Sequence, residues 1–450
     1  MSKHSGSDNP RPWPAITVSP AVALIDEPIS IVVSGLPPRR VVTIRATLDL
    51  SSGLSFASHA TFIANRSGTI DLSQSVPLDG TYSIADATGL VWSLAVTGYS
   101  QRRPSTARYV ESDLKPYDIV FSVHDEDDVV IARATATRHP TGEGVQRREI
   151  RENGLVGTLF SPAGAIPRPA IIVVPGSTGG IPEHLAALYA AHGYAALALG
   201  YFAAGEPGLL PDELVEIPLE YFDSAGRWLQ AQKGIDPHVL IIDGTSRGGE
   251  LALLLGAHFP RFTAVIAWVP SSHVYHGFGR TPERRNLSGW TLGGKPLAFV
   301  PPARREKGPR DTDLRDGTPV SHIELLRWVT ADPDFEEAAI PVERIAGPIL
   351  LVSGRDDVMW PSATYADWVV ERLEAHGLSQ KVVHLSYENA GHTLGPPLAP
   401  TTELASYEGR STAPYLYGGM PQGIAKARAD LWPHVLQFIS SHVLERLSAP

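Results

Sequence analysis

The sequence predicts two domains in series. Residues 15–140 read as an all-β, immunoglobulin-like antiparallel sandwich. Residues 149–450 read as an α/β domain with a mostly parallel sheet, helices on both faces and a cap insertion at about 271–345. Three observations carry that prediction. Near residue 149 the texture switches from short β-rich runs to alternating strand-like and helix-like runs. A Gly-x-Ser-x-Gly turn at 244–248 joins a β-branched apolar run to an apolar helical one. Between the strand-like runs 264–269 and 349–353 lies a Gly-, Pro- and Arg-rich stretch too long for a bare loop.

Bulk properties narrow the class. At 450 residues the chain exceeds the size at which single cores stop growing, so two domains are expected. A formal charge of −10 argues against a general nucleic-acid binder. The cysteine count of 0 excludes disulfides, thiolate metal sites and a cysteine nucleophile. No apolar run approaches the ~20 residues of a membrane helix, so no membrane partner is expected. Residues 1–14 are polar and lack the apolar core of a signal peptide. They read as a disordered tail on a cytoplasmic protein.

In the first domain the β-rich runs are 15–18, 29–33, 41–49, 60–64, 92–96, 117–124 and 129–137. Turn signals, Gly-Leu-Pro-Pro at 35–38 and Asp-Gly at 79–80, separate several of them. Short strands without a long helix fit a sandwich. No serine, histidine and acid form a catalytic pattern here, so packing or gating is the expected role.

The second domain alternates. Strands are predicted at 155–160, 170–174, 195–199, 239–242, 264–269, 349–353 and 381–387, and helices at 182–192, 218–232, 249–258, 362–376 and 424–447. Ligands of such sheets bind beyond the carboxyl ends of the strands. The cap is expected to be partly ordered at 321–329 and 333–345, and a second excursion, 396–422, to form another wall of the site.

A strand that ends in Gly-x-Ser-x-Gly and opens into a helix is the nucleophile elbow of an α/β-hydrolase. Ser246 is therefore the candidate nucleophile. A serine hydroxyl needs a base, and the base needs an orienting acid; in this fold the chain order is serine, acid, histidine. Strand 349–353 runs into Gly354-Arg355-Asp356-Asp357. Asp356 competes with Asp357, but the acid of such loops stands three residues after the glycine, which selects Asp357. Strand 381–387 runs into Glu388-Asn389-Ala390-Gly391-His392, and His392 is the candidate base. With 16 histidines in the chain, only position distinguishes it from a solvated surface histidine. His273 and His276 are assigned to the cap or substrate wall, and Asp243 is badly placed to be the acid. Two backbone N–H groups are needed for the oxyanion. One should come from Arg247, directly after the nucleophile. The other should come from the loop 175–180, with Ser177 the first choice and Thr178 the second.

These residues resemble the acyl-CoA thioesterase and bile acid-CoA:amino acid N-acyltransferase family over almost the whole chain. In the first half "ALIDEPISIVVSGLPPRRVVTIRATL" and "GLVWSL" look like its β-sandwich domain; in the second, "GTLFSPAGAIPRPAIIVVPGSTGGI", "GRDDVMWPS" and "AGHTLGPP" look like its hydrolase domain. The resemblance implies that Ser246, Asp357 and His392 are nucleophile, acid and base. Amino-acid-conjugating members typically carry cysteine as nucleophile and thioesterases serine, so this chain looks like the hydrolytic branch. The implied activity is hydrolysis of acyl-CoA or carrier-bound acyl thioesters through an acyl-enzyme, with no metal or prosthetic group. An acyltransferase or oxygen-ester hydrolase with the same three residues is the alternative. The expected partners are a small acyl thioester or ester and, in one version, an acyl carrier protein, on a monomer or small homo-oligomer. A basic run, Arg304-Arg305-Glu306-Lys307-Gly308-Pro309-Arg310, with Arg280, Arg284 and Arg285 upstream, suits phosphate groups. A solvated, partly self-paired loop is the preferred account of the run.

Overall fold

The computed structural model describes residues 13–51, 53–99, 114–164, 166–302, 330, 335–397, 399–406 and 415–448. These form two compact units. One holds residues up to 99, 115–139 and 399–402, and the other holds 140–397 and 403–448.

Two-residue alternation marks the central strands of the first unit. Along Val41–Asp49 the residues Val42, Ile44, Ala46 and Leu48 are buried and their neighbours are not. That strand pairs antiparallel over its whole length with Leu54–Ile63. The larger sheet runs Val22–Leu24, Val130–His139, Tyr117–His124, Val41–Asp49, Leu54–Ile63 and Asp79–Gly80, with Ala95–Tyr99 also paired to Leu54–Ile63. A three-stranded sheet of Ala15–Ser19, Ser30–Ser34 and Ile70–Asp71 accompanies it. Two expectations are corrected. Trp92 closes a helical turn, Gly89–Trp92, held by bonds back to Thr88, so the strand expected at 92–96 starts later. Asp79-Gly80, expected as a turn, is instead a short strand paired to Leu54–Ile63. Residues 399–402 complete this unit, with the Thr401 N–H donating to the Trp92 carbonyl at 3.0 Å.

The second unit carries an eight-stranded sheet: β1 (Gln146–Glu152), β2 (Leu155–Ser161), β3 (Arg168–Val174), β4 (Ala195–Gly200), β5 (Ile235–Thr245), β6 (Ala264–Trp268), β7 (Ile349–Gly354) and β8 (Val382–Tyr387). Their spatial order is β1-β2-β4-β3-β5-β6-β7-β8. The first two pairings are antiparallel and the rest parallel. This is an α/β-hydrolase sheet. Strands β4, β6 and β7 are buried at every position, which is why they read as unbroken apolar runs. The sheet begins earlier than the predicted 149. Strand β1 reads Gln-Arg-Arg-Glu-Ile-Arg-Glu with only Ile150 buried, and such charge on an edge strand discourages pairing with another chain.

Among the described residues, five helices longer than one turn accompany the sheet: α1 (Glu183–Ala191), α2 (Leu219–Gln230), α3 (Arg247–His258), α4 (Ser362–Ala375) and α5 (Pro421–Ser448). In α2 the buried Leu219, Phe222, Ala225, Gly226 and Leu229 follow helical spacing. Helix α3 is buried from Arg247 through Gly256, charged residues included. Between β6 and β7, Trp290–Leu292 pairs with Ile217–Pro218 and Lys295–Pro296, and one-turn helices sit at Pro282–Arg285, Glu336–Ala338 and Val342–Arg344. The ordered stretch expected at 321–329 lies outside the described residues. Of the second excursion, Ala405–Ser406 pairs with Tyr415–Leu416.

Candidate active site

Strand β5 delivers Ser246 to the carboxyl edge of the sheet. Its φ of 60° and ψ of −118° are strained for a side chain bearing Cβ, and the surroundings over-determine them. The Ser246 N–H donates to the Trp268 carbonyl at 2.8 Å, while its carbonyl accepts from Gly249 and Glu250 and so opens α3. Both elbow glycines are dictated by close approach. A Cβ on Gly244 would lie 2.0 Å from the Gly248 oxygen, and one on Gly248 would lie 2.5 Å from the Pro175 oxygen.

Strand β7 ends in the loop that carries Asp357, and β8 in the loop that carries His392. The two side chains and Ser246 form one hydrogen-bonded chain. His392 Nδ1 lies 2.8 Å from Asp357 Oδ2, and His392 Nε2 lies 3.0 Å from Ser246 Oγ. A carboxylate only accepts, so Nδ1 carries the proton and Nε2 is left to accept from the serine hydroxyl. Asp357 is 1% exposed, and its remaining lone pairs take the Met359 N–H (3.0 Å), the Trp360 N–H (3.3 Å) and the Ser362 hydroxyl (2.6 Å). Asp356 is exposed, and the carboxylate on the His392 imidazole is that of Asp357, the residue selected by spacing. The His392 N–H donates to the Tyr417 carbonyl at 2.8 Å. Its ring lies between Tyr417, stacked at 6.3 Å, and the edge of Trp360 at 6.0 Å. Trp360 in turn donates from Nε1 to the carbonyl of Val269, a β-branched residue held at a φ of 41° just after β6.

Of the expected oxyanion donors, Arg247 directly follows Ser246 in the chain. Arg247 occupies the first position of α3, where no helical carbonyl exists for its N–H to bond. The loop 175–180 lies against Ser246, since a Cβ on Gly176 would be 3.3 Å from that of Ser246; Ser177 and Thr178 follow it.

Other candidates separate from the site. His273 is buried and stacked on Phe335 at 3.8 Å, with Ser272 on its Nδ1, and burial pushes its pKa down to about 4. His276 Nδ1 faces the Gly277 carbonyl at 2.9 Å. Asp243 is fully buried, accepts from Tyr189 (2.6 Å) and Trp268 (3.0 Å), and is pushed up to about 7 by burial. Arg280 and Arg284 are paired with Asp212 and Glu213, outside the insertion, and Arg285 donates to the Gly279 carbonyl. Arg304, Arg305, Lys307 and Arg310 lie outside the described residues. Sequence reasoning missed Ser362, Trp360 and Tyr417. It also missed Glu250, which pairs with the Arg247 guanidinium and is legible as an i, i+3 opposite-charge pair.

Two family models match the chain. Residues 26–152 match the acyl-CoA thioester hydrolase/BAAT N-terminal region, and residues 217–445 match BAAT / acyl-CoA thioester hydrolase C terminal. The chain belongs to the acyl-CoA thioester hydrolase/BAAT family. Among curated relatives, acyl-coenzyme A thioesterase 6 of Mus musculus is 32% identical over 93% of this chain and 94% of its own length. The peroxisomal succinyl-coenzyme A thioesterase of Mus musculus is 31% identical with the same coverages, 93% and 94%. The acyl-coenzyme A amino acid N-acyltransferase 1 of Mus musculus is 29% identical over 96% and 98%. As a member of this family with an α/β-hydrolase sheet, the protein is a thioesterase-like enzyme.

Proposed function

We propose that this protein hydrolyses acyl-CoA thioesters, with Ser246 as nucleophile, His392 as general base and acid, and Asp357 as the group that orients the imidazole. The observation that carries the reading is the continuous Ser246–His392–Asp357 hydrogen-bond chain at the elbow, in a member of an acyl-CoA thioester family.

The proton on Ser246 Oγ passes to His392 Nε2 as Oγ attacks the thioester carbonyl. The carbonyl oxygen takes the negative charge and is held by the Arg247 and Ser177 N–H groups. The C–S bond breaks and CoA leaves as the thiol, with the proton supplied by His392. Water, deprotonated by His392, then attacks the acyl-enzyme; the acid leaves and Ser246 regains its proton. The first unit is read as an immunoglobulin-like sandwich with a packing or gating role.

Serine rather than cysteine favours hydrolysis over transfer, because an amine attacks a thiol ester more readily than an oxygen ester. The test is thiol release from acyl-CoAs of graded length, wild type beside Ser246→Ala. Release that disappears in the variant supports the reading. Release diverted to an amide by added glycine or taurine would mark a transferase, and no release from any CoA would sink the CoA assignment.

A further inference from the structure

We infer that the Arg247 guanidinium is a positioning group that ties the β6–β7 insertion to the oxyanion donor on its own peptide nitrogen, with Glu250 as its counter-ion. This rests on the reading of Ser246 as nucleophile. Arg247 has two ends with different duties. Its N–H stands next to the nucleophile at the start of α3. Its side chain runs into the insertion, where Nη1 donates to Glu250 Oε2 at 2.6 Å and Nη2 donates to the carbonyls of Tyr275 and His276 at 3.1 and 3.2 Å. The guanidinium also faces the rings of Phe278 and Trp290, 5.5 and 5.7 Å from their centroids. Glu250 grips the same segment with its other oxygen, taking the Trp290 Nε1–H at 2.7 Å and the Tyr275 N–H at 3.2 Å.

Two observations say that this pair does more than fill space. Arg247 and Glu250 are 1% and 0% exposed, and the Arg247 Nε–H has no acceptor. A buried ion pair is a poor source of stability, since apolar side chains of the same volume serve as well or better. The insertion is also shaped around the guanidinium: a Cβ on Gly289 would fall 2.5 Å from Nη2. What the pair supplies is fixed geometry beside the atom where charge develops, and misplacement there is expensive. When the 275–290 segment is seated, the Arg247 peptide is held in donor orientation.

The experiment compares wild type with Arg247→Gln, Arg247→Lys, Glu250→Gln and Ser246→Ala. Three quantities are measured: kcat and KM for an acyl-CoA the wild type turns over, affinity for its thioether analogue, and affinity for a trifluoromethyl-ketone thioether analogue that adds Ser246 to form an oxyanion. The expected result for R247Q and E250Q is a kcat about 10- to 100-fold lower per titratable Ser246 with KM nearly unchanged. Trifluoromethyl-ketone affinity should fall by the same factor and thioether affinity should stay. R247K keeps the charge but not the fork onto both carbonyls, so it should recover part of the loss; it also serves if R247Q does not fold. Unchanged kcat, or equal weakening of both analogues, overturns the inference while a dead S246A leaves the hydrolase reading standing. Turnover that survives in S246A overturns both.

Discussion

Asp356 and Asp357 are chain neighbours in opposite environments, and the contrast gives a residue-scale prediction. Asp357 is buried with four donors around it, whereas Asp356 faces solvent. Asparagine at 357 would offer its amide to His392 Nδ1 and force the other tautomer, placing the proton on Nε2, where it cannot accept from Ser246. We expect Asp357→Asn to lower kcat by about four orders of magnitude with the fold retained, and Asp356→Asn to stay near wild type. Steady-state thiol release checks both, and equal losses would contradict the assignment. Asp357 was legible as the candidate acid because order along the chain and distance from Gly354 are sequence properties. Ser362 and Trp360 were not, because their service to Asp357 and His392 depends on how a loop folds back. Nothing in Ser-Ala-Thr or Met-Trp-Pro marks it.

At the scale of elements, strands buried on both faces announce themselves and half-exposed ones do not. Strands β4, β6 and β7 were readable as apolar runs, while β1 was hidden by five charged residues in Gln-Arg-Arg-Glu-Ile-Arg-Glu. The strand expected at 92–96 failed for another reason: Leu90, Val91, Trp92 and Leu94 are all buried, so burial alone could not tell a helical turn from a strand. The elbow is the element where local sequence dictates most. Gly244 sits 2.0 Å, measured from its would-be Cβ, from the Gly248 oxygen, with Val174 on the same side at 2.9 Å. Neither neighbour has room to move in the centre of the sheet. Gly244→Ala should therefore cost about 1–3 kcal/mol or more in urea denaturation. Gly154→Ala provides the contrast, because a Cβ there meets nothing within 4 Å and only its φ of 75° opposes it. A Gly244 variant as stable as wild type would refute the crowding argument.

For the whole molecule, the decisive feature is that ionisable groups of both signs are buried around the elbow, so stability must vary with pH. Asp243, fully buried three residues before Ser246, is pushed up to about 7 by burial, against the pull of its bonds from Tyr189 and Trp268. A carboxyl whose folded pKa lies above its unfolded value of ~3.9 holds its proton more tightly when folded. Its contribution is thus complete below about pH 4 and is lost as pH rises through about 7. Burial pushes Glu250 in the same direction while the Arg247 charge resists it. His273 works with the opposite sign. Burial lowers it to about 4, so its contribution is present above the unfolded value near 6.5 and is lost as pH falls through about 4. Asp243→Asn keeps an oxygen for the Tyr189 and Trp268 donors and removes the titration. Its Tm should gain on wild type steadily between about pH 4 and pH 7 and then run parallel. His273→Phe keeps the stack on Phe335 and should lose less than wild type on acidification from about pH 6 to pH 4. Differential scanning fluorimetry of the three proteins across this range reads both slopes. An offset between Asp243→Asn and wild type that stays constant from pH 4 to pH 7 would mean that Asp243 is ionised throughout. The buried donors, rather than desolvation, would then govern the Asp243 charge.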